Sequence, residues 1–100
     1  MDISDVVKIS KALGNSTRVK ILNWLKDPEQ NFPPQPSLGH FDFGVCGTYI
    51  KKKSGLSQSV ISTYLSNMEK SGLLISTREG KWTYFRRNEQ TIEKYIEAMK

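Results

Sequence analysis

Five non-aromatic side chains between positions 58 and 66 can hydrogen-bond without carrying charge: Gln58, Ser59, Ser62, Thr63 and Ser66. Their spacing of three and four residues puts them on one side of a helix. Short neutral donors and acceptors can approach the base edges of a major groove without bringing negative charge to phosphate, and the Gln58 amide has the fork that pairs with adenine. Cations flank this segment. Lys52 precedes it and Arg78 and Lys81 follow it, as point charges suited to a phosphate backbone. The chain carries a net charge of +5, and its placement says more than its size. Residues 51–87 hold eight cations against two acids, hence +6, while the remainder holds seven cations against eight acids. A positive field confined to one segment implies a polyanionic partner for that segment.

Other chemistries find less support. Cys46 is the single cysteine, so it has no internal disulfide partner, and soft-metal sites require several thiolates. His40, Asp42 and Cys46 together offer three mixed donors, but not at a standard zinc spacing. No metal is therefore expected. The cations Lys51 to Lys53 near Cys46 favour a thiolate, which makes Cys46 a candidate redox sensor. The simpler reading is a small buried hydrophobe. No nucleophile and base stand in a recognisable motif, there is no glycine-rich phosphate loop, and the sole histidine lacks a partner, so neither enzyme activity nor a cofactor is expected. No apolar run approaches the roughly 20 residues of a membrane span. Acids at Asp2 and Asp5 replace any hydrophobic signal region, which points to a cytoplasmic protein without a membrane partner.

Positioning these side chains requires particular elements. Ser57 is a good N-cap for a helix over 57–71, inside which Ile61, Leu65 and Met68 form a buried stripe. A shorter helix containing Ile50 precedes it, and Gly55 is free to take the left-handed conformation of a helix end. The pair reads as a helix-turn-helix. Two β-prone runs, Leu73–Thr77 and Trp82–Arg86, then follow, joined by Arg78-Glu79-Gly80-Lys81. They form a hairpin wing over 74–87, in which Trp82, Tyr84 and Phe85 are expected to pack. Upstream, residues 3–13 read as a helix with Ile3, Val6, Val7 and Leu13 on one side. Gly14-Asn15 breaks it, and a second helix runs to about Lys26 with Ile21, Leu22 and Leu25 at core spacing. A last helix over 89–99, capped by Asn88, carries Ile92, Tyr95, Ile96 and Met99 as a stripe. One hundred residues support a single domain over 1–100. Residues 27–45 are the unusual part, with all four prolines and three of the four phenylalanines. The prolines argue against a regular helix there, and Phe32, Phe41 and Phe43 predict packing on the body or on a partner subunit.

These stretches resemble the ArsR/SmtB family of small winged-helix repressors. The resemblance rests on Ala12-Leu-Gly-Asn-Ser-Thr-Arg18 with Ile21-Leu22, on Gly55-Leu-Ser-Gln-Ser-Val-Ile-Ser-Thr-Tyr-Leu65, on Ser71-Gly-Leu-Leu74 and on Arg78-Glu-Gly-Lys-Trp82. It implies a mostly α winged helix-turn-helix with a small β-hairpin: four helices, two strands and a final helix. It further implies a homodimer through the first and last helices, acting as a repressor on an imperfect palindromic double-stranded DNA operator. Helix 57–71 would enter the major groove, and wing 74–87 would lie on the backbone or in the minor groove. The site residues expected on this reading are Ser57, Gln58, Ser59, Ser62, Thr63, Ser66, Lys52, Arg78 and Lys81. The chain also departs from the family. Residues 27–45 stand as an insertion in a connection that is usually shorter. Cys46-Gly47-Thr48 falls where arsenic-sensing members carry Cys-x-Cys, with Lys51 at the place of a third thiolate. The Asp and His pairs that bind zinc at the last helix in other members are also missing, so the effector stays unknown. The alternative is a winged-helix module that binds another protein and has no specific DNA target. Fold does not choose between the two; the uncharged polar face beside a basic wing favours DNA.

Overall fold

A computed structural model describes residues 1–36 and 38–100. Six helices and three strands follow in the order α1 (Ile3–Ala12), α2 (Ser16–Lys26), α3 (Pro28–Asn31), β1 (Val45–Cys46), α4 (Gly47–Ser54), α5 (Gln58–Lys70), β2 (Leu74–Glu79), β3 (Trp82–Arg87) and α6 (Glu89–Ala98). Four of the helices start where a side chain takes up a free backbone N–H. Asp2 accepts from Asp5, Asn15 from Arg18, Ser57 from Val60 and Asn88 from Thr91. Each such cap stabilises its helix by about 1 kcal/mol. Gly55, at φ +70°, ends α4 in the left-handed conformation and opens the tight turn into α5.

The core sits where α1, α2, α4 and α5 meet the sheet. Ile61, Leu65 and Met68 are the buried stripe of α5, and they join Ile9, Ala12, Ile21, Leu25, Ile50, Leu73 and Leu74. Burial of each large side chain contributes about 1.5–3 kcal/mol, so the α5 stripe is a major anchor for the helix. Leu22 packs against this cluster while remaining partly exposed.

The structure departs from the sequence expectation in three places. First, the hairpin is part of a three-stranded antiparallel sheet of order β1-β3-β2. Val45 and Cys46 pair with Phe85 and Tyr84 on the free edge of the wing. Second, the proline-rich segment contains the single-turn α3, which begins at Pro28. Proline is compatible with the first turn, where its missing N–H has no helical partner anyway. Third, α1 buries only Ile9 and Ala12, leaving Ile3 82% and Val7 43% exposed. Of the side read from spacing, Val6 and Leu13 are partly buried while Ile3 and Val7 face outward, and the buried residues Ile9 and Ala12 lie beside that stripe. The last helix behaves similarly: Ile92 and Tyr95 pack on the core, while Ile96 and Met99 face outward. A Ser10–Tyr95 hydroxyl contact of 2.8 Å ties α1 to α6.

Residues 27–45 pack on their own domain. Phe32 is buried and meets Trp24 edge-on at 6.4 Å, and the Lys53 ammonium lies over both rings. Phe41 leans on the core, and Phe43 stands edge-on to His40 at 5.7 Å. The segment is held by one side chain that no local pattern announced. Gln35 is 3% exposed. Its amide donates to the carbonyls of His40 and Gly44 at 3.0 and 3.1 Å, and its oxygen accepts from the Cys46 N–H at 2.8 Å. Each polar atom of this buried amide is thus matched to a backbone group.

A second tie links α1 to α5. The Arg18 guanidinium donates to the carbonyls of Ala12 and Lys11 at 2.7 and 3.2 Å and stacks on the Tyr64 ring at 5.1 Å. The Asn15 amide donates to the Tyr64 hydroxyl at 3.2 Å.

Candidate nucleic-acid interface

The helix-turn-helix of α4 and α5 presents the polar face that the sequence indicates. Ser57, Gln58, Ser59, Ser62 and Thr63 are exposed, and Ser66 is half-buried. Neighbours orient several of these groups. The Gln58 amide donates to the Ser62 hydroxyl at 2.9 Å, the Thr63 hydroxyl donates to the Ser59 carbonyl at 2.9 Å, and the Ser57 and Ser59 hydroxyls lie 3.3 Å apart. Such contacts hold the side chains in place before any ligand arrives.

The wing follows. β2 and β3 pair from Leu74↔Arg87 to Glu79↔Trp82, leaving the two-residue turn Gly80-Lys81. Gly80 takes φ +60° at the first turn position, where positive φ suits the twist of a tight hairpin. Arg78 is exposed but folds onto this turn, donating to the Gly80 carbonyl at 3.0 Å and to Thr83 at 3.4 Å.

Between α5 and the wing lies a cleft of about 390 Å³, lined by Gln58, Ser62, Ser66, Lys81, Trp82 and Thr83 among others. Four of the sequence-derived site residues therefore share one concave surface: Gln58, Ser62, Ser66 and Lys81. Ser57, Ser59, Thr63, Lys52 and Arg78 do not line it. Glu69 and Trp82 are among the lining residues that were not expected at the site. Glu69, whose carboxylate accepts from the Ser76 hydroxyl, places one acid in the cleft. Trp82 was expected to pack, as Tyr84 and Phe85 do, yet it is 38% exposed with the Lys81 ammonium 5.4 Å from its ring. It stands beside the turn, and it is not among the side chains that pack against the core. A tryptophan next to a turn lysine is the one sequence signal that could have suggested this.

The electrostatics agree with the charge count. Of the eight cations between 51 and 87, only Arg87 forms an ion pair among the described residues, with Glu89 at 2.9 Å. The other seven keep their charge uncompensated by a neighbouring carboxylate.

Cys46, in β1, is 9% exposed and lines the inner side of the cleft. Lys53, one of the cations that suggested a reactive thiol, stacks on Trp24 and Phe32. The His40 ring lies 3.7 Å from the Asp42 carboxylate. Among the described residues, no group of three or more His, Cys, Asp or Glu side chains is arranged to hold a metal. No helix there is long and apolar enough to cross a membrane.

Comparison with known proteins follows the same lines. No family model matches the chain. An uncharacterised HTH-type transcriptional regulator of Bacillus subtilis (strain 168), YbzH, is 37% identical over 94 residues, which is 94% of each chain. ArsR2 of Halobacterium salinarum, named for the arsenical resistance operon, is 29% identical over 85 residues, covering 85% of this chain and 60% of that one. Among solved structures, the homodimeric winged helix-turn-helix DNA-binding domain of Mb0332 from Mycobacterium bovis superposes with a TM-score of 0.69. It is 22% identical and covers 97% of this chain and 77% of that one. The last likeness bears on fold alone, and it matches the arrangement of helices and wing described above. With YbzH similar across nearly the whole length, the chain belongs to the HTH-type transcriptional regulators, and its fold is that of the winged helix-turn-helix domains.

Proposed function

We propose that two copies of this chain form a two-fold dimer that binds an imperfect palindromic operator and represses transcription from it. The cleft in which Gln58, Ser62 and Ser66 of α5 face Lys81 of the wing carries this reading. It sets neutral base-reading groups beside a phosphate-attracting cation. In this arrangement α5 lies in the major groove, where Ser57, Gln58, Ser59, Ser62, Thr63 and Ser66 set sequence preference. Lys52, Arg78 and Lys81 hold the backbone or an adjacent minor groove. The exposed Met1, Ile3 and Val7 at the start of the chain and Ile96 and Met99 at its end support dimerisation through α1 and α6. Both helices leave apolar surface uncovered by their own domain, and a second copy offers the same surface in return. The reading assigns no catalytic step and places the protein in the cytoplasm with its DNA.

The division of labour is testable by equilibrium binding to the operator, located by footprinting on the protein's own promoter, and to random DNA. Gln58→Ala is expected to narrow the gap between the two by about 1–3 kcal/mol, the worth of one bidentate base contact. Lys81→Ala should weaken both alike, because a phosphate contact carries no sequence information. Identical behaviour of the two variants would show the assignment to be wrong.

Metal control is not part of the reading. Thr48 and Lys51 stand where arsenic-sensing relatives supply thiolates, and Cys46 alone gives a soft metal one ligand. Zinc and arsenite are therefore expected to change operator affinity by less than about threefold, against the 5- to 150-fold of typical effectors. The measurement is DNA binding with each metal and with chelator, in wild type and in Cys46→Ser. Release of DNA at near-stoichiometric metal would reverse this conclusion.

A further inference from the structure

We infer that the protein carries a binding site for a small, uncharged, planar aromatic molecule, in a cavity of about 250 Å³ between the Gln35 arm and the wing. Gln35, Pro36, Cys46, Thr48, Tyr49 and Trp82 line it. No charged side chain is among them, so neither an ion nor a zwitterion would be matched there. Two of the polar groups that line it are already occupied. All of Gln35's bonding capacity described above goes to loop backbone, and the Tyr49 hydroxyl donates to the Pro34 carbonyl at 3.3 Å. The exposed Thr48 hydroxyl, which has no hydrogen-bond partner among the described residues, leaves room for one hydroxyl on the ligand. Tyr49, Trp82 and the Pro36 ring supply flat apolar walls, which suit an aromatic face.

Size narrows the class further. An apolar cavity of about 150 Å³ holds benzene, and drug-sized ligands take about 300–1,000 Å³. A cavity between these limits fits one or two fused rings. Its walls are also fixed in advance: the Gln35 bonds set the arm relative to β1, so little ordering cost falls on the ligand.

The cavity adjoins the cleft between α5 and the wing, and Cys46, Thr48 and Trp82 line both. An occupant that moves the Trp82 ring therefore moves a wall of the cleft that faces Gln58 and Ser62. This second step rests on the proposal that the cleft meets DNA. It makes the molecule an effector through unequal affinity for two wing positions.

The probe is 2-naphthol, which has two rings and one hydroxyl and is neutral at pH 7. Titration into isotope-labelled protein should give saturable, one-per-chain NMR shifts centred on the amides of Gln35, Cys46 and Tyr49 and on the Trp82 indole. Thr48→Phe fills the cavity from an exposed helix position, and Trp82→Ala removes a wall from an exposed strand position. Each is expected to weaken binding at least tenfold. Non-saturating shifts, shifts centred on Ile3, Val7, Ile96 and Met99, or wild-type affinity in both variants would overturn the site. In parallel, saturating 2-naphthol is expected to lower operator affinity fivefold or more. Saturable binding with unchanged operator affinity would overturn the coupling and leave the site standing. A protein that binds no DNA even without 2-naphthol would instead overturn the proposed function, and the NMR result would be unaffected.

Discussion

Gly44→Ala is expected to destabilise the protein severely. Gly44 immediately precedes β1 at φ +90°, and a Cβ built there would lie 1.9 Å from the Phe85 carbonyl oxygen and 2.3 Å from its carbon. The obstacle is backbone of β3, so no side-chain rotation relieves it. Accommodating a methyl group means lifting β1 off the sheet. That move breaks the Val45–Phe85 pairing and disturbs the Gln35 bonds to Gly44 and Cys46. The combined cost should reach about 4 kcal/mol or more, a large part of the roughly 5–15 kcal/mol that holds a small domain folded. Gly39→Ala is the matched control. Its φ of +75° is also left-handed, but nothing lies within 4 Å of the added Cβ, so only the conformational cost of about 1–2 kcal/mol remains. Urea unfolding of the two variants should separate them clearly. Equal stability losses would mean that β1 is not held against β3 as described.

DNA affinity should fall by about a thousandfold to a hundred-thousandfold between 50 and 200 mM salt. That range corresponds to about six to ten neutralised phosphates, each contributing about −0.9 to the slope of log affinity against log salt. Seven cations without carboxylate partners lie between residues 51 and 87, and a dimer presents them twice. Not all of them can reach the duplex, since Lys53 lies over Trp24 and Phe32. A steep slope is nevertheless expected from Lys52, Lys81 and the wing arginines together. Binding that ignores salt would argue for a surface directed at something other than nucleic acid. A chain that sediments as a monomer at micromolar concentration and stays so on DNA would remove the two-fold arrangement.

Features set by local physics were legible in the sequence. The caps at Ser57 and Asn88, the stripe of Ile61, Leu65 and Met68, and the left-handed Gly55 depend on residues within a turn or two of each other. The structure has all of them. Features that depend on distant partners were not. β1 is two residues long, too short to show any alternation, and exists only because β3 offers it an edge. Gln35, met in a proline-rich stretch, reads as a solvated polar residue; its three backbone partners become visible only after the segment folds back. The apolar side of α1 was evident from spacing, but spacing does not say which body covers it, and half of it is left open here. The candidate DNA-facing residues were identifiable from type and periodicity. That four of them share a cleft with Trp82 follows from how the wing bends toward α5.

The contact of Arg18 and Asn15 with Tyr64 has a mechanical consequence. It fastens the end of the outward-facing α1 to the middle of α5, so the two helices cannot drift independently. In the proposed dimer, the joint between copies lies at one end of a lever and the base-reading side chains at the other. A tilt at the joint, passed on without slack, displaces α5 along the DNA. Reading register along the DNA is thereby geared to the angle between the two copies, and loosening Tyr64 would put play into the gear.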